Sequence, residues 1–279
     1  MAVYRGLDIG TAKASRRPGG PAVHLTDLAD PDEDFSVARF QAACRDVVDG
    51  AHGRGHRVVY VGGTGLYHRA VTDGLTLPGR YPEVAAALEL AAAEQGGKLE
   101  LHRRLAGLDP LAASRITPGN GRRLVRALEV TLGSGRPFSS YGPGLEEYPV
   151  SSTTIVGLSM PRAALDARLE QRLEQQMEAG FLEEVRRLAS CGTPLSRTAR
   201  QAIGYKELIA HLKGESSEEE ARAEILRRLK ASARRQEAWF RRDPRVHWLD
   251  GLCADLAGHV LAVWSAAGSG RMPCETRQR

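Results

Sequence analysis

Val58-Val59-Tyr60-Val61-Gly62-Gly63-Thr64-Gly65-Leu66-Tyr67 reads as a short buried strand that runs into a glycine-rich turn and then a helix. Uncharged β-branched and aromatic residues in a row suit a strand covered on both faces, as in a parallel sheet. Such a junction exposes backbone N–H groups, which suit a phosphate or another oxyanion. Thr64 adds a hydroxyl that can donate or accept. For a lone Gly-Gly turn, a tight strand-to-helix connection is the better account.

Upstream, Val37, Phe40, Cys44, Val47 and Val48 recur at helical spacing between Ser36 and His52, with Ser36 placed as N-cap. Helix, strand and glycine turn together give the alternation of an α/β sheet. Downstream the composition changes. Residues 83–106 are rich in alanine, leucine and glutamate, and Asp109–Leu132 continues helical apart from Pro118-Gly119-Asn120-Gly121. These features predict a helical insertion over 78–150.

Thr154–Leu158 then predicts a strand that returns the chain to the sheet. A helix from Arg162 carries Leu165, Leu169, Leu173 and Met177 on one face and stops at Gly180. Another covers Leu182–Ala189. A last long helix starts at Ser216 or Ser217, where Ser216 and Glu219 have capping-box spacing, and Ile225, Leu229 and Ala233 form its core stripe. The expected organisation is an α/β core of residues 1–77 and 151–264, the insertion, and a disordered tail over 265–279.

With 42% hydrophobic and 26% charged residues in 279, the composition is that of an ordinary globular protein. No apolar run approaches the roughly 20 residues needed to cross a bilayer, and Met1-Ala2-Val3-Tyr4-Arg5 lacks the features of a signal peptide. A cytoplasmic monomer without a membrane partner is the expectation. Cys44, Cys191, Cys253 and Cys274 are too dispersed for a zinc site or a disulfide framework. A net charge of +5 permits a polyanionic partner without demanding one.

Three further segments concentrate basic residues. In Asn120–Glu129, Arg122, Arg123 and Arg126 share one side of a helix start while Leu124, Val125 and Leu128 can pack. Arg200-Gln201-Ala202-Ile203-Gly204-Tyr205-Lys206-Glu207 reads on its own as the start of a helix with a packing tyrosine. The last helix ends in Arg227, Arg228, Lys230, Arg234, Arg235, Gln236, Trp239, Phe240, Arg241 and Arg242, where guanidinium groups and aromatic rings alternate as an RNA loop requires. Trp239 and Phe240 suit the core equally well. A weaker pair, Arg168 and Arg172, shares a helical face.

In order and approximate spacing, these segments and the run Val3-Tyr4-Arg5-Gly6-Leu7-Asp8-Ile9-Gly10-Thr11-Ala12-Lys13 resemble the tRNA dimethylallyltransferases, from Val3 to about Asp250. The resemblance implies a P-loop-kinase-like parallel sheet with an inserted helical tRNA-binding domain. It implies transfer of a dimethylallyl group from its diphosphate to N6 of adenosine 37 in the tRNA anticodon stem-loop, with Mg2+. Thr64 would lie at the reaction centre, with Gly62, Gly63, Gly65 and Arg172 near the diphosphate. Contacts to tRNA would come from Tyr4, Arg5, Arg122, Arg123, Leu124, Val125, Arg126, Arg200, Gln201, Ala202, Ile203, Gly204, Tyr205, Arg234, Arg235, Gln236, Trp239 and Arg241.

Departures from the family pattern are Asn120 and Arg122 for a common aspartate and glutamine, and Val23 for a histidine before His24. The family's P-loop and its catalytic aspartate, which takes the N6 proton, would precede Val3. The expectation is a late start or a truncated gene whose full product carries both. A general base contributes ~10²–10⁴ in rate, so the chain as given is expected to transfer slowly. The alternatives are a noncatalytic tRNA-binding remnant and an adenylate isopentenyltransferase acting on free AMP.

Overall fold

The computed structural model describes residues 1–14, 18–142, 144–145, 147–192 and 194–269. They divide into two units: residues 1–72 with the chain from Val150 onward, and Asp73–Pro149.

In the first unit, α1 (Val37–Gly53) begins where its cap dictates, as Ser36 Oγ accepts the Arg39 N–H at 3.2 Å. α2 (Gly65–Thr72) follows the glycine turn. The second unit is wholly helical: α3 (Pro82–Ala93), α4 (Gly97–Leu108), α5 (Pro110–Arg115) and α6 (Gly121–Ser134). Asn120 Oδ1 caps α6 by accepting the Arg123 N–H at 3.3 Å. Leu88, Leu101, Leu105, Leu124 and Leu128 form this unit's core.

The chain rejoins the first unit in β1 (Ile155–Ser159), followed by α7 (Arg162–Glu178), α8 (Phe181–Ser190), α9 (Tyr205–Leu212) and α10 (Glu218–Phe240). β2 (Val246–Asp250) pairs in parallel with β1, Ile155 opposite Val246 and Ser159 opposite Asp250. α11 (Leu256–Ser269) comes last. Tyr4, Leu7, Phe35, Phe40, Phe181, Val185, Tyr205, Leu208 and Ile225 build the core of this unit, so the amino-terminal run packs on α8, α9 and α10.

The architecture is α/β with a small parallel sheet, and it differs from the sequence expectation in four respects. Val58–Val61 belongs to no strand, with Val59 and Val61 67% and 86% exposed. A strand exists through its neighbour's hydrogen bonds, and among the described residues β1 pairs with β2 alone. β2 itself was not expected. The capping box of α10 is Ser217 with Glu220, one residue beyond the Ser216 and Glu219 spacing: Ser217 Oγ accepts the Glu220 N–H at 3.1 Å, and Glu220 Oε2 accepts the Ser217 N–H at 2.8 Å. Lastly, α11 continues through Ser269, so the expected tail is helical over 265–269, and residues 270–279 lie outside those described.

Candidate functional site

Gly62–Gly65 links Val58–Val61 to α2, and α10 closes over it. A Cβ added to Gly63 would lie 2.6 Å from Gln236 Oε1, and one added to Gly65 would overlap the Trp239 indole. The two motifs, over 170 positions apart in the chain, therefore meet, and glycine is what admits the α10 side chains. Thr64 is exposed at the head of α2, and its carbonyl accepts the His68 N–H at 3.0 Å. The first amides of a helix have no intrahelical acceptor, so this end of α2 can receive an anion.

Aromatic rings support the turn from behind. Phe40 packs on Tyr67 at 5.0 Å and on Tyr60 at 6.3 Å between centroids, while His68 meets Tyr60 at 5.6 Å and Phe240 at 5.4 Å. Burial, with the charges of Cys44 and Tyr67, pushes the Tyr60 phenol up to about 12, so it stays protonated. Arg69, 2% exposed on α2, neighbours Asp243 just beyond α10. Asp243 also accepts two bonds from the Arg245 guanidinium, at 2.9 and 2.7 Å. Burial raises the Asp243 carboxyl, but the Arg245 bonds and the two positive charges outweigh it and hold the group below its ordinary value.

The basic residues separate into two groups. Arg5, Arg122, Arg123, Arg172, Arg200, Arg234, Arg235 and Arg241 are exposed, as are Gln201 and Gln236, while Ile203 and Trp239 are half-buried. Arg200 Nε donates to the Leu195 carbonyl at 2.8 Å, and Arg241 lies 4.9 Å over the Trp248 ring. An open groove of about 410 Å3 between α9 and α10 is lined by Lys206, Arg227, Arg228 and Arg235, with Glu207 and Glu224.

Other expected contacts point inward. Tyr4, Leu124, Val125, Ala202, Gly204 and Tyr205 are buried. Arg126 is occupied within the second unit: it donates to the carbonyls of Pro78 and Gly79 at 2.8 and 3.1 Å and pairs with buried Glu129 at 2.8 Å. Glu129 in turn accepts the Tyr81 N–H at 2.8 Å. Arg126 thus fastens a loop to α6.

Sequence reasoning missed Glu184 on α8. Its carboxylate accepts the N–H groups of Asp8, Ile9 and Gly10 at 3.0, 2.8 and 3.2 Å and the Tyr205 hydroxyl at 2.6 Å. The signal was present, because Phe181, Glu184, Val185 and Leu188 share one helical face and a carboxylate amid three apolar residues asks for partners. Burial and the Glu184 charge push the Tyr205 phenol strongly up, which keeps it a donor. Also missed was Thr198, whose hydroxyl bonds Tyr4 Oη at 2.6 Å and Asp34 Oδ1 at 2.9 Å. Lys13 likewise joins Tyr4's carbonyl at 2.8 Å with Asp27 at 2.6 Å and with Asp8.

No group of three histidine, cysteine, aspartate or glutamate side chains among the described residues could hold a metal ion. No described helix is long and apolar enough to cross a membrane.

The sequence pattern of the IPP transferase family matches residues 2–243. The tRNA dimethylallyltransferase of Streptomyces avermitilis is 47% identical over 257 residues, covering 92% of this chain and 81% of that protein. That of Thermobifida fusca is 46% identical over 266 residues, covering 94% and 82%. Among solved structures, the full-length tRNA isopentenylpyrophosphate transferase of Bacillus halodurans superposes with a TM-score of 0.67 at 34% identity, over 96% of this chain and 84% of that one. A eukaryotic dimethylallyltransferase acting on tRNA shares the fold, with a TM-score of 0.78 at 21% identity, over 99% of this chain and 73% of that one. By the extent of these matches, the chain belongs to the IPP transferase family.

Proposed function

We propose that this protein is a transferase that moves a dimethylallyl group from its diphosphate onto tRNA, at N6 of adenosine 37 in the anticodon stem-loop. The N6 lone pair attacks the carbon that bears the diphosphate, the carbon–oxygen bond breaks, and diphosphate leaves as N6 gives up a proton. The observation that carries the reading is the convergence of Gly62–Gly65 with Gln236 and Trp239, which sets a helix start suited to an anion beside an amide and a flat ring suited to a base.

Each described group has a task in this reading. The amides at the head of α2 hold departing negative charge, and Thr64 supplies a hydroxyl at the same place. Gln236 and Trp239 present an amide and a flat ring to a splayed base. The exposed arginines Arg5, Arg200, Arg234, Arg235 and Arg241, with Arg122 and Arg123 of the helical unit, meet phosphates. Arg172 stands on α7 as a further guanidinium for the diphosphate. Magnesium enters as a companion of the diphosphate; the described residues form no three-ligand site for it, and no step is routed through it. The protein acts as a monomer in the cytoplasm.

Incubation with labelled dimethylallyl diphosphate, magnesium and either tRNA or AMP tests this reading. Label enters tRNA and not AMP. Preferential labelling of AMP, or salt-sensitive tRNA binding with no transfer at high protein concentration, overturns it.

A further inference from the structure

Three successive backbone N–H groups aimed at one point form a concavity that binds anions, often those of a ligand. Asp8, Ile9 and Gly10 form such a concavity, and the chain fills it with the buried carboxylate of Glu184. The same carboxylate accepts the Tyr205 hydroxyl at 2.6 Å. Gln176 donates to the Ile9 carbonyl at 2.6 Å, so the turn is held from α7 as well as from α8. A Cβ on Gly10 would overlap the Phe181 ring, which in turn meets Tyr205 at 5.1 Å between centroids.

From these contacts we infer that Glu184 is a positioning residue, which sets the Asp8–Gly10 turn for RNA and couples it to the segment Arg200–Glu207 through Tyr205. The inference rests on the tRNA reading above and adds the device that joins two of its contact segments. The turn begins at exposed Asp8 and follows exposed Arg5 by three residues, and the segment carries exposed Arg200 and Gln201. Neither segment belongs to the same element as the other, so their relative placement depends on shared bonds. Glu184 is bonded to both, through three amides of the turn and the Tyr205 hydroxyl, and Tyr205 also meets the Gly10 backbone directly.

An amide in place of the carboxylate keeps the size and removes much of the acceptor capacity that three N–H groups and a phenol require. Fluorescence anisotropy with a labelled anticodon stem-loop RNA, and amide hydrogen exchange at Asp8, Ile9 and Gly10, are read together on the full chain. Glu184→Gln speeds exchange at those three amides by about tenfold or more and weakens RNA binding by about tenfold. Val185→Ala, at the neighbouring core position, lowers the thermal midpoint while leaving both readouts at their wild-type values. Tyr205→Phe keeps the ring on Phe181 and removes one bond, so it provides the test should Glu184→Gln not fold; it shifts both readouts in the same direction, each by about threefold. Wild-type exchange or wild-type affinity in folded Glu184→Gln or Tyr205→Phe overturns the inference. If the wild-type chain does not bind the stem-loop at all, the tRNA reading itself fails, and the inference falls with it.

Discussion

Gly65 has no space for a side chain because the Trp239 indole occupies the position a Cβ would take. This contact ties the head of α2 to α10, and it explains why the turn and the basic end of α10 form one site. Gly65→Ala is expected to destabilise the protein by about 1–3 kcal/mol through overpacking. Thermal unfolding measures the loss, and Trp239→Ala in the same chain should recover part of it. Additive losses in the double variant would contradict the contact.

Arg123 and Arg126 lie one turn apart on α6 and have opposite tasks. Arg126→Ala removes the partner of buried Glu129 and two carbonyl contacts, so a loss of about 3 kcal/mol is expected, seen by denaturation and by faster hydrogen exchange across residues 73–149. Arg123→Ala should leave stability within about 0.5 kcal/mol and lower the salt slope of RNA binding by about 1. Equal stability of the two variants would reject this division.

Asp243 makes stability depend on pH in a defined direction. Its folded carboxyl sits below the ordinary 3.8, so it contributes fully above that value. As pH falls through the lower folded value the carboxylate takes up a proton and the contribution is lost. Asp243→Asn leaves Arg69 and Arg245 facing a neutral amide and should destabilise the chain at pH 7 while flattening the acid limb of the stability curve. A variant with the wild-type acid limb would show that other carboxylates dominate.

The register of the α10 cap is testable by two adjacent serines. Ser217→Ala removes the acceptor of the Glu220 N–H and should cost about 1 kcal/mol. Ser216→Ala should change the thermal midpoint little. The reverse order would restore the box to Ser216 and Glu219.

Much of the helical framework was legible in the chain. Ser36 before a periodic apolar run, and Gly180 after Met177, are local signals that act within about one helical turn. Glu184 was legible in principle from the apolar face it shares. The failure at Val58–Val61 has a different origin: apolar β-branched residues favour an extended backbone, yet ladder bonds must come from another segment. β2 was hidden for the same reason, since its pairing with β1 lies 91 positions away in the register of Ile155 with Val246.

The sequence by itself determined most of the helices, the Ser36 cap and the family, because these follow from contacts between near neighbours and from the order of motifs. Only the tertiary structure decided which basic residues face solvent and which, like Arg126, are engaged within the protein, and that Tyr205 donates to Glu184. The physical reason is range. Glu184 accepts from amides 174–176 positions away, and burial of a charge is permitted only where such distant partners arrive together.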